Sequence, residues 1–178
     1  MGDLYEVRLA IQAEVPWLPR IEEEAARRFV EFGWPEIAAT PGVPLDELQE
    51  AQIESRLWVA LGPSGAPVGF ALADMLGEHA HLREVDVLPE HGRLGLGRRL
   101  IEAVGDWARC QRFAALTLTT FRDIPWNAPY YARLGFEALP PERQSATLRL
   151  LVAEEALAGL DPARRVVMIL RFKPGKRR

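Results

Sequence analysis

The sequence predicts an α/β domain, a mixed and mostly antiparallel sheet covered by helices, and three observations carry that prediction. Short β-type runs at Leu57–Leu61, Val68–Ala73 and Ala80–Val87 follow one another, the first two joined by the turn cluster Gly62-Pro63-Ser64-Gly65-Ala66-Pro67, so the chain opens its sheet as a meander. The apolar period then changes, with Leu96, Leu100, Val104, Trp107 and Ala108 on one helical face. Ala114–Thr120 returns to a strand pattern, and a strand–helix–strand crossover implies a parallel pair within the sheet. At 178 residues and 48% hydrophobic the chain fits a single domain, 1–178, with room for a sizeable core; residues 57–136 are its best-supported part.

The flanking elements follow the same logic. Tyr5 to Ala10 alternates as a first strand. Pro16 opens a helix carrying Trp17, Leu18, Ile21, Ala25 and Phe29 inward, with Glu22, Glu23, Arg27 and Arg28 on its wet face. Gly33 to Pro44 is rich in breakers and reads as a loop. Leu45, Leu48 and Ile53 mark a second helix. Pro125 to Leu134 holds a short helix stopped by Gly135. Leu148 to Leu157 is an apolar stretch with two glutamates that ends at Gly159, and Arg165 to Phe172 is a buried strand. No internal repeat or low-complexity block interrupts this order.

Composition excludes several classes. A formal net charge of −3 gives no global pull toward nucleic acid, and no stripe of basic and aromatic residues offers a nucleic-acid surface. The basic tail Lys173, Lys176, Arg177, Arg178 reads as a solvated end. Cys110 is the single cysteine, so neither an intrachain disulfide nor a cysteine metal cluster can form; it is expected to be a buried, inert thiol, and no metal is expected. The segment Met1 to Glu6 lacks the basic-then-apolar order of a secretory signal, and no apolar run nears the roughly 20 residues of a membrane helix. A cytoplasmic setting with no membrane partner is the expectation.

The most informative stretch is Val85-Asp86-Val87-Leu88-Pro89-Glu90-His91-Gly92-Arg93-Leu94-Gly95-Leu96-Gly97-Arg98: strand, proline turn, glycine-rich loop, helix start. Glycine lets backbone approach a ligand closely. A helix start presents unpaired N–H groups and the positive end of the macrodipole, which together make an anion site. Each hydrogen bond to a charged acceptor is worth about 1.5–3 kcal/mol net, so several converging donors hold a pyrophosphate. The spacing is G-x-x-G-x-G, which fits neither the dinucleotide fingerprint nor the Walker A pattern.

This segment resembles the acetyl-coenzyme A signature of the GNAT N-acetyltransferase superfamily: a strand ending in V-x-P, then Gln/Arg-x-x-Gly-x-Gly/Ala, then an amphipathic helix. Val87 and Pro89 match the strand end, and Gly95 and Gly97 match the two small positions. Gly92 departs, standing where the family has Gln or Arg. Downstream, Tyr130-Tyr131-Ala132-Arg133-Leu134-Gly135-Phe136 is similar to the family's Y-x-x-L-G-F ending; the usual upstream Asn falls on Ile124, while this chain has Asn127. The resemblance implies a three-layer GNAT-like fold in which the cradle strand and Ala114–Thr120 are parallel and splayed. It implies acetyl-coenzyme A as cosubstrate, cradled by Gly92, Arg93, Leu94, Gly95, Leu96, Gly97 and Arg98, with backbone at Val85 and Val87 along the pantetheine arm. It further implies direct acetyl transfer to an amine of a small molecule or peptide, and leaves a homodimer open. The rival readings are a coenzyme A-binding sensor or interaction domain without catalysis, and a different nucleotide binder.

For the chemistry, a neutral amine at pH 7 costs about 4–5 kcal/mol to form from a lysine-like ammonium, so a base, or a binding site that favours the neutral amine, must help. Glu84 and Asp86 lie two apart on one face of the strand entering the cradle. Glu84 is the first candidate base, Asp86 the second, and His81, read on the same face, a third. Tyr131 matches the family tyrosine at the coenzyme sulfur and is the candidate general acid; Tyr130 is the register alternative. Trp34, Asp123, Trp126 and Asn127 are the candidate acceptor pocket, with the tryptophans equally readable as core anchors.

Overall fold

The computed structural model of the protein describes residues 4–173. The first three residues and Lys176, Arg177 and Arg178 of the basic tail lie outside the described residues. Seven strands hydrogen-bond in the order β1-β2-β3-β4-β5-β7-β6, giving a mixed α/β sheet. The chain divides into two compact units, one formed by residues 1–73 and 82–106, the other by 74–81 and 107–178.

In the first unit, β1 (Glu6–Leu9) and β2 (Leu57–Leu61) pair antiparallel, and β2 pairs antiparallel with β3 (Pro67–Leu76), which extends beyond the expected run. Between β1 and β2 come a 3-10 turn at Gln12–Trp17, α1 (Leu18–Glu31), α2 (Pro35–Ala38) and α3 (Leu45–Ile53). The short helix α2 sits inside what the sequence reads as loop, since Pro35 supplies a helix-ready φ at the first position. The core gathers Val15, Leu18 and Ile21 against Leu48 and Ala51 of α3 and Leu57, Val59, Leu61, Phe70 and Leu72 of the strands. Trp17 and Ile53, expected inside, are exposed. The strand β4 (His79–Val87) ends in this unit, where α4 (Leu96–Cys110) begins.

In the second unit, the start of β4 pairs parallel with β5 (Ala115–Phe121) through Ala80↔Leu116 and His81↔Thr117. Next come α5 (Ala128–Arg133), β6 (Glu137–Ala138), α6 (Ala146–Leu157) and β7 (Arg165–Arg171). β7 pairs antiparallel with β5 over seven positions and with β6 over two. α6 is tied to these strands by Glu155, whose Oε1 lies 2.9 Å from Arg165 Nη2 and accepts from the Thr119 hydroxyl. Its buried face, Leu148, packs with Ala115, Leu139, Val167 and Ile169. Cys110 is exposed, which corrects the expected buried thiol: Ala108 faces the core, and two further residues rotate the helix by about 200°.

Candidate functional site

The glycine turn is built where β4 stops. Leu88 N–H donates to Val68 O at 2.8 Å, which anchors the strand end to β3. Pro89–His91 forms one 3-10 turn, closed by His91 N–H to Leu88 O at 2.9 Å and Gly92 N–H to Pro89 O at 3.0 Å. A Cβ on Gly92 would stand 3.0 Å from Pro89 O, so the departure from the family's Gln or Arg coincides with a turn packed tightly on its own backbone. Arg93 (φ +61°) and Gly95 (φ +78°) both take the left-handed conformation, a costly one for arginine. A Cβ on Gly95 would meet no protein atom within 4 Å; the space above the turn is open. Arg99 N–H to Gly95 O, 3.0 Å, is the first helical bond of α4, so the N–H groups just after Gly95 lack an intrahelical acceptor. Leu96 is buried and anchors this first turn, whereas Leu94 is exposed.

A clamp from Tyr5, the residue before β1, holds the turn, and nothing in the sequence motif announces it. Tyr5 Oη lies 3.0 Å from His91 Nδ1 with the rings edge-on, and Arg99 Nη2 donates to Tyr5 O at 2.9 Å. The positive charge of Arg93 bears on Arg28 of α1, whose pKa is lowered first by burial and then by this repulsion. Arg98 spends its guanidinium on Glu102, 2.7 Å away on the helix surface.

On β4, just before the turn, Glu84 and Asp86 converge as their spacing predicts, and a third carboxyl joins them. Carboxylate oxygens of Glu22, Glu84 and Asp86 lie within 4.8 Å of one another. Glu22 comes from α1 and was expected on its wet face. Instead its carboxylate accepts from Val43 N–H at 3.0 and 3.1 Å, and it fits so closely over Gly42 that a Cβ there would stand 2.7 Å from Oε2. The Glu22 pKa is raised by burial, against the lowering effects of the Val43 hydrogen bond and of Arg83. The Asp86 pKa is raised well above the usual carboxylate range, by burial first and then by the charges of Glu84 and Glu22. Glu84 also folds back toward the Val85 N–H, 3.3 Å from Oε1. Beneath them, β3 places Gly69 where a Cβ would stand 2.8 Å from Asp86 O and 3.1 Å from Val87 Cγ2. Trp34, half-buried, precedes α2 and donates its backbone N–H to Phe29 O at 2.8 Å.

His81 does not share the face of Glu84. An odd separation of three turns it to the opposite face of a regular strand, and the structure buries it in the second unit with Nδ1 2.9 Å from Thr117 Oγ1. In that unit Tyr131 is half-buried on α5, its ring edge-on to Tyr130 (5.5 Å between centroids) and Phe136 (5.8 Å). Its carbonyl accepts from Phe136 N–H at 3.1 Å across the left-handed Gly135 (φ +92°). Asn127 heads α5, its carbonyl accepting from Tyr130 and Tyr131 N–H at 2.8 and 3.0 Å. Ile124, at the family's Asn position, is a core plug only 1% exposed. Asp123 is exposed and Trp126 half-buried.

Known proteins share this fold. The family model described as Acetyltransferase (GNAT) family matches residues 18–136. Among solved structures, the PaiA N-acetyltransferase of Thermoplasma acidophilum, in complex with coenzyme A, superposes with a TM-score of 0.65 at 13% identity over 94% of this chain and 99% of that one. The ribosomal-protein-S18-alanine N-acetyltransferase of Escherichia coli gives 0.62 at 17% identity over 98% and 99%. N-acetylglutamate synthase from Neisseria gonorrhoeae, complexed with coenzyme A and N-acetyl-glutamate, gives 0.72 at 16% identity; it covers 98% of this chain, which spans only 36% of that enzyme. At these identities the likeness speaks for the fold. No helix among the described residues is long and apolar enough to cross a membrane. With its seven-stranded α/β fold and a family match over two thirds of its length, the chain belongs to the GNAT acetyltransferase family.

Proposed function

We propose that this protein moves the acetyl group of acetyl-coenzyme A onto an amine of a small molecule or peptide. The observation that carries the reading is one strand ending in two functions: β4 delivers Glu84 and Asp86 into a three-carboxyl cluster with Glu22, then turns through the glycines that open α4. The α4 start offers N–H donors and a positive dipole end to the coenzyme pyrophosphate. Val85 and Val87 supply backbone for the pantetheine arm. The carboxyl cluster draws a cationic acceptor and takes its proton, with Glu84 as the acceptor of that proton and Asp86 and Glu22 sharing it. The raised pKa of Asp86 makes its carboxylate a stronger proton acceptor than an ordinary one beside Glu84. The neutral nitrogen then attacks the thioester carbonyl carbon, the C–S bond breaks as the tetrahedral adduct collapses, the attacking nitrogen gives up its second proton to leave the amide, and the thiolate takes one in return. Tyr131 is the proposed donor of that proton, by its place in the Y-x-x-L-G-F match. Trp34, Asp123, Trp126 and Asn127 remain the proposed acceptor contacts. The single cysteine fits a reducing compartment, the cytoplasm.

The test is thiol release from acetyl-coenzyme A across a panel of small amines and peptide N-termini. Glu84→Gln should lower turnover at neutral pH with coenzyme affinity kept, and the loss should shrink as pH rises and free amine accumulates. Coenzyme binding without thiol release for any amine would support the sensor reading instead.

A further inference from the structure

A cavity lies in the unit formed by residues 74–81 and 107–178, and it belongs to none of the machinery above. Its volume is about 330 Å³, and it opens where β5 begins and β7 ends. Its chemistry is divided. Leu139 and Ile169, both buried, and the ring of Phe172 give it an apolar wall. Arg143, from the turn after β6, and Arg171, from the end of β7, bring two guanidinium groups. Arg143 has no ion pair among the described residues, and Arg171 makes only a loose pair with Glu137, 3.6 Å apart between side chains that are 46% and 77% exposed. Glu78 is the one acidic lining residue, so the lining carries a net positive charge. His79 lines the cavity as well, while its Nδ1 is closed off within the protein.

We infer that this cavity is a binding site for a small organic carboxylate with an apolar body, held by Arg143 and Arg171 at its charged end and by Leu139, Ile169 and Phe172 along its length. Planar guanidinium groups match a carboxylate in geometry as well as charge. The apolar wall separates such a ligand from a bare inorganic anion, which would leave that surface uncovered.

Benzoate tests the inference on the full chain, read by amide shifts at Ala114 and Ala115 and by the His79 ring resonances. Benzamide is the uncharged control and inorganic phosphate the anion without an apolar body. The site requires saturable shifts with benzoate at a Kd on the order of 1 mM. Benzamide and phosphate should each bind at least about tenfold more weakly, and Arg143→Ala and Arg171→Ala should each weaken benzoate by about tenfold or more. Both arginines are exposed, so the variants should fold; unchanged far-ultraviolet circular dichroism checks this. No saturation with benzoate, equal binding of benzamide or phosphate, or benzoate affinity untouched by both folded variants overturns the inference. Because none of these readouts involves acetyl transfer, the inference stands or falls separately from the proposed activity.

Discussion

Gly69→Ala perturbs the strand under the carboxyl cluster without touching a charge. The added methyl carbon would stand 2.8 Å from Asp86 O, 3.1 Å from Val87 Cγ2 and 3.4 Å from Val87 Cα. Real contacts of this kind begin beyond 3 Å, and the first atom met is backbone, which cannot swing aside. Strand β4 must shift by several tenths of an ångström or β3 must bend, and overpacking of this size costs about 1–3 kcal/mol. Against it, removing a glycine from the unfolded chain returns about 0.4–1 kcal/mol. The net expectation is a loss of about 1–2 kcal/mol. For a chain of this length each kcal/mol shifts Tm by roughly 2–4 °C, so Tm should fall by roughly 2–8 °C. Urea unfolding at pH 7 measures the free energy directly. Since the displaced atoms belong to Asp86 and Val87, acetyl transfer should fall more than the remaining stability explains, with the fold intact at 25 °C. A Gly69→Ala variant as stable as wild type would show that β3 and β4 do not approach as closely as described, and the account of the strand end would fail with it.

Other expectations follow from the same site. Asp86→Asn should stabilise the protein at pH 7–8: the native carboxyl holds its proton above the unfolded pKa, so its contribution is full below that pKa and is lost as pH rises toward the folded value. The gain over wild type, read from urea unfolding across pH, should therefore vanish toward acid; a gain that grows toward acid would reverse the assigned shift. Tyr131→Phe should slow single-turnover transfer by about 10²–10⁴-fold with coenzyme affinity and Tm near wild type, whereas full rates would make the motif structural. Gly95→Asn should fold better than Gly95→Val, because asparagine tolerates the left-handed φ of +78°, yet both should lose coenzyme A affinity in calorimetry because the open space over the turn is where the phosphates approach. Tyr5→Phe should cost about 0.5–1.5 kcal/mol by denaturant unfolding through the lost contact with His91.

What the sequence makes legible here is what lies close together along it. The cradle is contiguous, so its glycines, its proline and the period change at Leu96 could be read directly, and the alternation of β4 placed Glu84 beside Asp86. Glu22 was not legible. It reaches the cluster from α1, 62 positions before Glu84, and its neighbours Glu23, Arg27 and Arg28 make an ordinary wet face. Its partner is the backbone N–H of Val43, which no side-chain pattern announces. The Tyr5–His91 clamp was hidden for the same reason. Two other signals were available: an odd spacing already turned His81 away from Glu84, and a lone glycine inside a strand marks close backbone approach, as Gly69 does. The two-residue β6 carries too few residues for any period to show.

The carboxyl cluster also bears on which reading of the family holds for this chain. Three acids within 4.8 Å, with the Glu22 and Asp86 pKa values raised by burial, oppose folding at neutral pH; apolar residues of similar volume would relieve that cost. The chain instead fixes them in place. Val43 N–H orients Glu22, Gly42 leaves it room, and Arg83, itself 2.5 Å from Glu47 on α3, leaves the cluster only partly compensated. Carboxyls held together against their own repulsion concentrate at sites of chemistry. A domain that only sensed coenzyme A would need the glycine turn and the start of α4, both of which stand without Glu22, Glu84 or Asp86. Proton transfer from an ammonium needs the acids as well. The cost carried at the end of β4 therefore favours transfer over sensing.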